Sequence, residues 1–303
     1  LILSQFYDKT GNLEKALQTY EKALQINPEN MSVKTAIARS HYKNREIDKS
    51  ISIVEAILKN RPNYLPARRL RAEIYLAQKD FDAALTILNK LEKEEPQSAS
   101  VKYFKGLALL QKGDLYQGKA SISKAVELRP NSVKARQLYA RIFLQEKSFD
   151  EAIEQANEGL KINPDDARFR LIRADAHMGL RQFKSAEIDL NHLIDNSENP
   201  IPAYYKLAML KIGLNDLETA ETYLQKAYAH NPKNLDVFMQ IVRIKVTRNE
   251  FEKAHDLCQK QLELYLDQQP LQAIVHNLQA RIYIKEKKYT IAEKTFQKAI
   301  STY

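Results

Sequence analysis

The stretch VKARQLYARIFLQEKSFDEAIEQANEGLKINP, Val133–Pro164, decides the fold. Val133, Leu138, Tyr139, Ile142 and Phe143 recur at the spacing that lays one apolar stripe along a helix, and the stripe stops at the polar break Lys147-Ser148. Ser148 followed by Glu151 reads as a capping box, in which each side chain would satisfy a backbone N–H at the start of the next helix. That second helix runs through Ala152, Ile153, Ala156 and Leu160 to Asn163-Pro164, where the fixed φ and missing N–H of proline favour a break. The stretch is therefore two helices joined by a tight turn.

Working outward, the same grammar returns every 34 residues. Pro28, Pro62, Pro96, Pro130 and Pro164 keep that step, and Pro200, Pro232 and Pro270 continue the series with slips. A column of small residues, Ala16, Ser50, Ala84, Gly118, Ala152, Ala186, Ala220 and Ala254, keeps it without a slip. Each second helix opens on an apolar residue: Leu13, Ile47, Phe81, Leu115, Phe149, Phe183, Leu217, Phe251 and Tyr289. A fixed period of this length marks a repeat array, whose stacked units present one long surface and favour binding over catalysis. With 7 Gly and 10 Pro in 303 residues no flexible linker interrupts it.

These residues carry a resemblance to the tetratricopeptide repeat (TPR) family. In the final unit Ala280, Tyr283, Ala292, Phe296 and Ala299 stand where that family's pattern has small and aromatic residues, and Ser4, Tyr7, Ala16, Tyr20, Ala23 and Pro28 match in the first. The resemblance spans the whole chain in about nine units. It implies an all-α fold: a helix-turn-helix solenoid over residues 1–303, one domain, coiled as a right-handed superhelix with first helices on the concave wall and second helices outside. Two departures stand out. Tryptophan is absent, and Glu198 and Leu266 occupy the proline slot, so one turn should loosen and one helix lengthen. The chain starts at Leu1 without methionine, and no polar closing helix follows Tyr303 to cover Ile291, Phe296 and Ile300, so it reads as a piece of a longer protein. The compartment, cytoplasmic or periplasmic, stays open.

Several chemistries find no support. Apolar residues never run to the roughly 18 needed to cross a bilayer. The six histidines lack the short spacing that puts two metal ligands on one helical face, and Asp189 with His192 reads as a solvated pair. No glycine-rich phosphate loop or nucleophile elbow occurs, so neither an enzyme nor a cofactor is expected. Cys258 falls in the slot held elsewhere by Val54, Leu88, Ile122 and Leu224, which makes it an inert core thiol.

Charge separates by layer. The first-helix windows beginning at residues 31, 65, 99, 133, 167, 201, 235 and 273 sum to +17, which leaves 9 − 17 = −8 for everything else. An inner wall of that sign would attract an acidic partner. One first-helix column, Lys34, Arg68, Lys102, Arg136 and Arg170, reads as basic stems lying along helix ends. A second, Arg39, Glu73, Leu107, Arg141, Asp175, Met209, Arg243 and Arg281, is expected to face the groove, together with Arg69, Tyr103 and Tyr205 one turn earlier. Its arginines suit carboxylates or phosphates, with Tyr103, Leu107, Tyr205 and Met209 as apolar anchors. Glu73 and Asp175 equally suit pairing with Arg39, Arg69 or Arg141. Some relatives in the family clamp a peptide's terminal carboxylate with lysine, arginine and asparagine on neighbouring first helices; inward asparagines do not accompany the lysines here. The leading expectation is a protein-binding scaffold for an acidic or amphipathic segment. The alternatives are an arm of a bacterial envelope or polysaccharide-export assembly, and an RNA-binding repeat protein. The pI near 9.3 and Arg68-Arg69-Leu70-Arg71 favour RNA, but regular exposed aromatics for stacking bases are missing.

Overall fold

The apolar residues that open the second helices stand at the first helical position in every unit of the computed structural model, which describes residues 2–302; Leu1 and the chain end at Tyr303 lie outside them. The helices are α1 (Ile2–Lys9), α2 (Leu13–Ile26), α3 (Met31–Lys43), α4 (Ile47–Asn60), α5 (Leu65–Ala77), α6 (Phe81–Glu94), α7 (Ala99–Lys112), α8 (Leu115–Leu128) and α9 (Val133–Gln145). They continue as α10 (Phe149–Ile162), α11 (Ala167–Gly179), α12 (Phe183–Asn196), α13 (Ile201–Gly213), α14 (Leu217–His230), α15 (Leu235–Thr247), α16 (Phe251–Leu264), α17 (Gln269–Lys285) and α18 (Tyr289–Thr302). No strand occurs among the described residues. Contacts group the chain into two compact units, Leu1–Ile142 and Phe143–Tyr303. Within each, consecutive helices pack in pairs, antiparallel because the turns between them are so short.

Small residues set the distance between paired helices. The column from Ala16 to Ala254 is buried throughout, and so are Ala38, Ala72, Ala140, Ala174 and Ala208 on the first helices. The two columns face each other: the Ser50 hydroxyl donates to the Ala38 carbonyl at 2.7 Å. In the pair α7–α8 both positions are glycine, and a Cβ on Gly106 would come within 2.7 Å of Ile122 and 3.0 Å of the Gly118 carbonyl. A Cβ on Gly118 would sit 2.7 Å from Leu110, so these backbones approach too closely for any side chain.

The turns inside the repeats hold a device that period and composition did not announce. Gly11, Arg45, Lys79, Gly113, Lys147, Arg181, Asn215, Asn249 and Lys287 all adopt positive φ, one per unit. The N–H of the next residue then reaches back to the last turn of the first helix, as in Glu46 to His41 at 3.0 Å, Asp80 to Tyr75 at 2.9 Å and Lys288 to Tyr283 at 2.9 Å. A left-handed lysine or arginine costs about 1 kcal/mol relative to glycine, partly offset by its cation lying at the negative end of the helix dipole.

The capping box read at Ser148 and Glu151 does not form. Ser148 is the N-cap residue, but its side chain makes no cap hydrogen bond. The carboxylate or amide oxygens of Asn12, Asp80, Asp114 and Asp216 do reach the third N–H of the helix from the same place. Those side chains are one bond longer, and at this backbone geometry the serine hydroxyl falls short.

The two displaced prolines act as their positions imply. Pro200 becomes the residue before α13, after a segment that forms a bend where the other units form a hydrogen-bonded turn. Pro270 sits in the first turn of α17, which has 17 residues where α15 has 13. Cys258 is fully buried, and burial pushes its thiol up to about 12. A thiol-specific disulfide reagent should leave it unmodified in the native protein and react once denaturant is added; rapid native-state labelling would show that α16 opens.

Candidate partner-binding face

The column read as groove-facing lies where first helices stand side by side. The guanidinium of Arg39 on α3 donates twice to the Glu73 carboxylate on α5, at 2.9 and 3.0 Å, and Tyr42 donates its hydroxyl to the Glu73 carbonyl at 3.2 Å. In the second unit Lys206 on α13 donates to Asp175 on α11 at 2.5 Å. Arg39 is thus committed to a neighbouring repeat, and so is Asp175. Arg69 is held by Glu95, at 3.0 Å from its Nε.

Most of the +17 on the first helices is neutralised in the same manner, by carboxylates of the second helices. Lys102 and Lys105 both donate to Glu92 at 2.6 Å. Burial alone would raise that carboxyl, but the two ammonium groups outweigh it and hold it below its ordinary range. Lys211 reaches Glu187 at 2.7 Å, while Lys245 and Arg248 share the buried Glu221 at 2.6 and 2.7 Å. Arg68 is bound by Glu94 at 2.6 Å, and Arg170 and Arg173 converge on Asp189. The opposite signs of the two layers are therefore chiefly a set of staples between adjacent helices. The column read as basic stems releasing their charges to solvent does not do so: Lys34, Arg68, Lys102 and Arg170 are held by carboxylates, Arg136 is buried, and Arg136 and Arg170 also donate to the Pro130 and Pro164 carbonyls at 2.8 Å.

What remains free is selective. Among the described residues, Lys134 and Arg141 in the first unit, and Arg243, Arg281 and Lys285 in the second, are exposed first-helix cations with no carboxylate partner. Three of these are arginines of the groove column. The apolar candidates, on other first helices, are half-buried: Tyr103 and Leu107 on α7, Tyr205 and Met209 on α13. Tyr205 packs against the core around Ala208 and Leu224. Tyr103 meets Phe104 edge-on at 5.3 Å, and burial raises its phenol above the ordinary value.

Tyr103 and Leu107 line a cavity of about 330 Å3 in the first unit, with Tyr42, Glu73, Arg129 and Lys134. Arg129 and Lys134 were not singled out from the sequence. The available signal was the turn Arg129–Lys134, which brings two cations with no acid between them to the end of α8 and the start of α9. Among the described residues no three His, Cys, Asp or Glu side chains are gathered for a metal ion. Asp189 and His192 do not pair with each other: Asp189 serves Arg170 and Arg173, and His192 approaches Asp165 at 3.1 Å.

Sequence comparison decides the family. The tetratricopeptide repeat profile matches residues 9–64, 51–108, 109–176 and 211–282, and a second profile of the same description matches 273–303. The chain belongs to the tetratricopeptide repeat family. Solved TPR structures agree on the fold. One, a tetratricopeptide repeat protein from Parabacteroides merdae, is 20% identical with a TM-score of 0.55, over 80% of this chain and 95% of that one. PilF of Pseudomonas aeruginosa is 19% identical with a TM-score of 0.57, over 68% and 94%. A thermophilic TPR protein of Thermus thermophilus is 24% identical with a TM-score of 0.53, over 59% and 97%. Among curated proteins none matches the sequence significantly. TPR arrays generally carry no catalytic machinery and point to a protein-interaction scaffold.

Proposed function

We propose that this TPR protein is a non-catalytic scaffold whose first-helix face holds an acidic or amphipathic segment of another protein. One observation carries the reading. Among the described residues most first-helix cations are engaged by a carboxylate, yet Arg141, Arg243 and Arg281 of a single sequence column are exposed with no carboxylate partner, as are Lys134 and Lys285. Half-buried Tyr103 and Leu107 on α7, in the same unit as Arg141, and Tyr205 and Met209 on α13, in the same unit as Arg243 and Arg281, supply apolar surface on other first helices. Free guanidinium groups and apolar surface within one unit suit a segment that alternates carboxylates with hydrophobic anchors.

The test is a fluorescein-labelled peptide alternating glutamate with leucine and phenylalanine, titrated by anisotropy. Arg141→Lys should weaken binding measurably, because an ammonium cannot reproduce the two parallel hydrogen bonds of a guanidinium, and Arg141→Glu should weaken it about tenfold or more. Affinity should also fall with added salt. Unchanged binding by both Arg141→Glu and Arg243→Glu would remove the reading. Displacement of the peptide by an oligouridylate at lower concentration than by unlabelled peptide would favour RNA instead.

A further inference from the structure

We infer that the cavity around Tyr103 is an anchor pocket for one aromatic or large aliphatic side chain of a partner protein, flanked by carboxylates on one side only. Glu73 is the residue that sets this one-sidedness. The inference rests on the scaffold reading and names the chemistry of its ligand within the first unit.

The cavity measures about 330 Å3, near the lower end of the range of roughly 300–1,000 Å3 common for ligand pockets, which suits a single large side chain rather than a helix. Its apolar wall is α7, where Tyr103, Phe104 and Leu107 are all half-buried and the two rings already meet edge-on. Seating an apolar side chain there removes water from surface that the fold leaves uncovered.

Charge is arranged unequally around that wall. From the elements that follow α7 come Arg129, at the end of α8, and Lys134, at the start of α9, both exposed and without a carboxylate partner among the described residues. From α5, which precedes α7 and packs against it, comes Glu73, buried, with both carboxylate oxygens engaged by Arg39. Arg39 neutralises Glu73 from outside the cavity, so what the cavity presents on that side is a paired carboxylate with no free cation. An acidic residue is therefore attracted on the Lys134 side and disfavoured on the Glu73 side. A nucleic acid does not fit this pattern, because a base seated on Tyr103 carries phosphates in both directions and would bring one towards Glu73. A peptide carries charge only where an acidic residue stands.

The experiment uses the full chain and three blocked, fluorescein-labelled peptides. The first is Gly-Ser-Gly-Phe-Asp-Glu-Asp-Gly-Ser, the second has Ser in place of Phe, and the third places acids on both sides, Asp-Glu-Asp-Phe-Asp-Glu-Asp. The first should bind, and the second should bind about tenfold more weakly. Lys134→Glu and Arg129→Glu should each weaken the first peptide about tenfold. Both sites are exposed, and far-UV circular dichroism checks that the variants stay folded; Lys134→Gln supplies a milder version.

Glu73→Gln should act in the opposite direction. It keeps the side chain's shape, removes the negative charge from the cavity lining, and should improve binding of the two-sided peptide about tenfold over wild type. Absence of binding by the first peptide, indifference to the loss of Phe, or indifference to both Lys134→Glu and Arg129→Glu would each overturn the pocket. If those variants are silent while Arg141→Glu or Arg243→Glu abolishes binding, the pocket falls and the scaffold reading stands. If all four are silent, both fall.

Discussion

Asp189→Ala is expected to lower the stability of α11 and α12 by about 3–5 kcal/mol, because it leaves two guanidinium groups inside the fold with no counter-charge. Asp189 is 1% exposed and accepts from Arg173 at 2.6 and 2.7 Å and from Arg170 at 3.2 Å. Arg170 keeps only 13% of its side chain in solvent, so its charge cannot escape to water when the carboxylate is removed. Arg173 has a second acceptor in Asn157 at 2.6 Å, which makes Arg170 the more exposed to the loss. Repeat arrays do not unfold as one unit, so the measurement should be local: amide exchange in Ala167–Asn196 compared with exchange in the first unit. Slowed or unchanged exchange in those two helices would show that the ion cluster contributes nothing net.

Gly159→Leu should cost about 1–3 kcal/mol or more through overpacking. Gly159 faces the ring of Phe169, and even a single added Cβ would fall inside van der Waals contact with three of its ring atoms. Phe169 is fully buried and has nowhere to turn. The cost arises although glycine is about 1 kcal/mol worse than alanine within a helix, so packing opposes propensity and wins. A denaturant titration of Gly159→Leu, Phe169→Ala and the double variant measures this directly. The pair should show a coupling of about 0.5–3 kcal/mol, with the double variant less damaged than the sum of the singles. Simple additivity would mean that α10 and α11 do not meet at these residues.

The backbone was far more legible in the sequence than the candidate site. Positions such as Leu13, Phe81 and Phe251 mark helix starts because one packing solution repeats, and every unit must place the same kind of residue in the same slot. The fate of the charges does not repeat. Glu92, Glu187 and Glu221 reach cations of the next helix from two different register positions, because lysine and arginine stems are long enough to meet a carboxylate wherever it stands. A tally of charge by layer therefore finds the staples and the free cations together and cannot tell Arg39, bound to Glu73, from Arg141. The left-handed turn residues were hidden for another reason. Arg45, Lys79 and Lys147 run against backbone preference, and only Gly11, Gly113, Asn215 and Asn249 in the same column reveal what the position demands.

The long helix α17 shows how such an array absorbs a change of length. Its four additional residues over α15 amount to about one turn of helix, so the chain advances along the axis while its side chains keep nearly the same compass bearing. Val237, Val242 and Ile244 of α15 find their counterparts in Val275, Ala280 and Ile282, all buried, and Arg281 stays in step with Arg243. An insertion of two residues would have swung the apolar stripe round to water. Growth by whole turns is thus a permitted increment for this architecture, and it lets one unit lengthen without obliging the next to be rewritten.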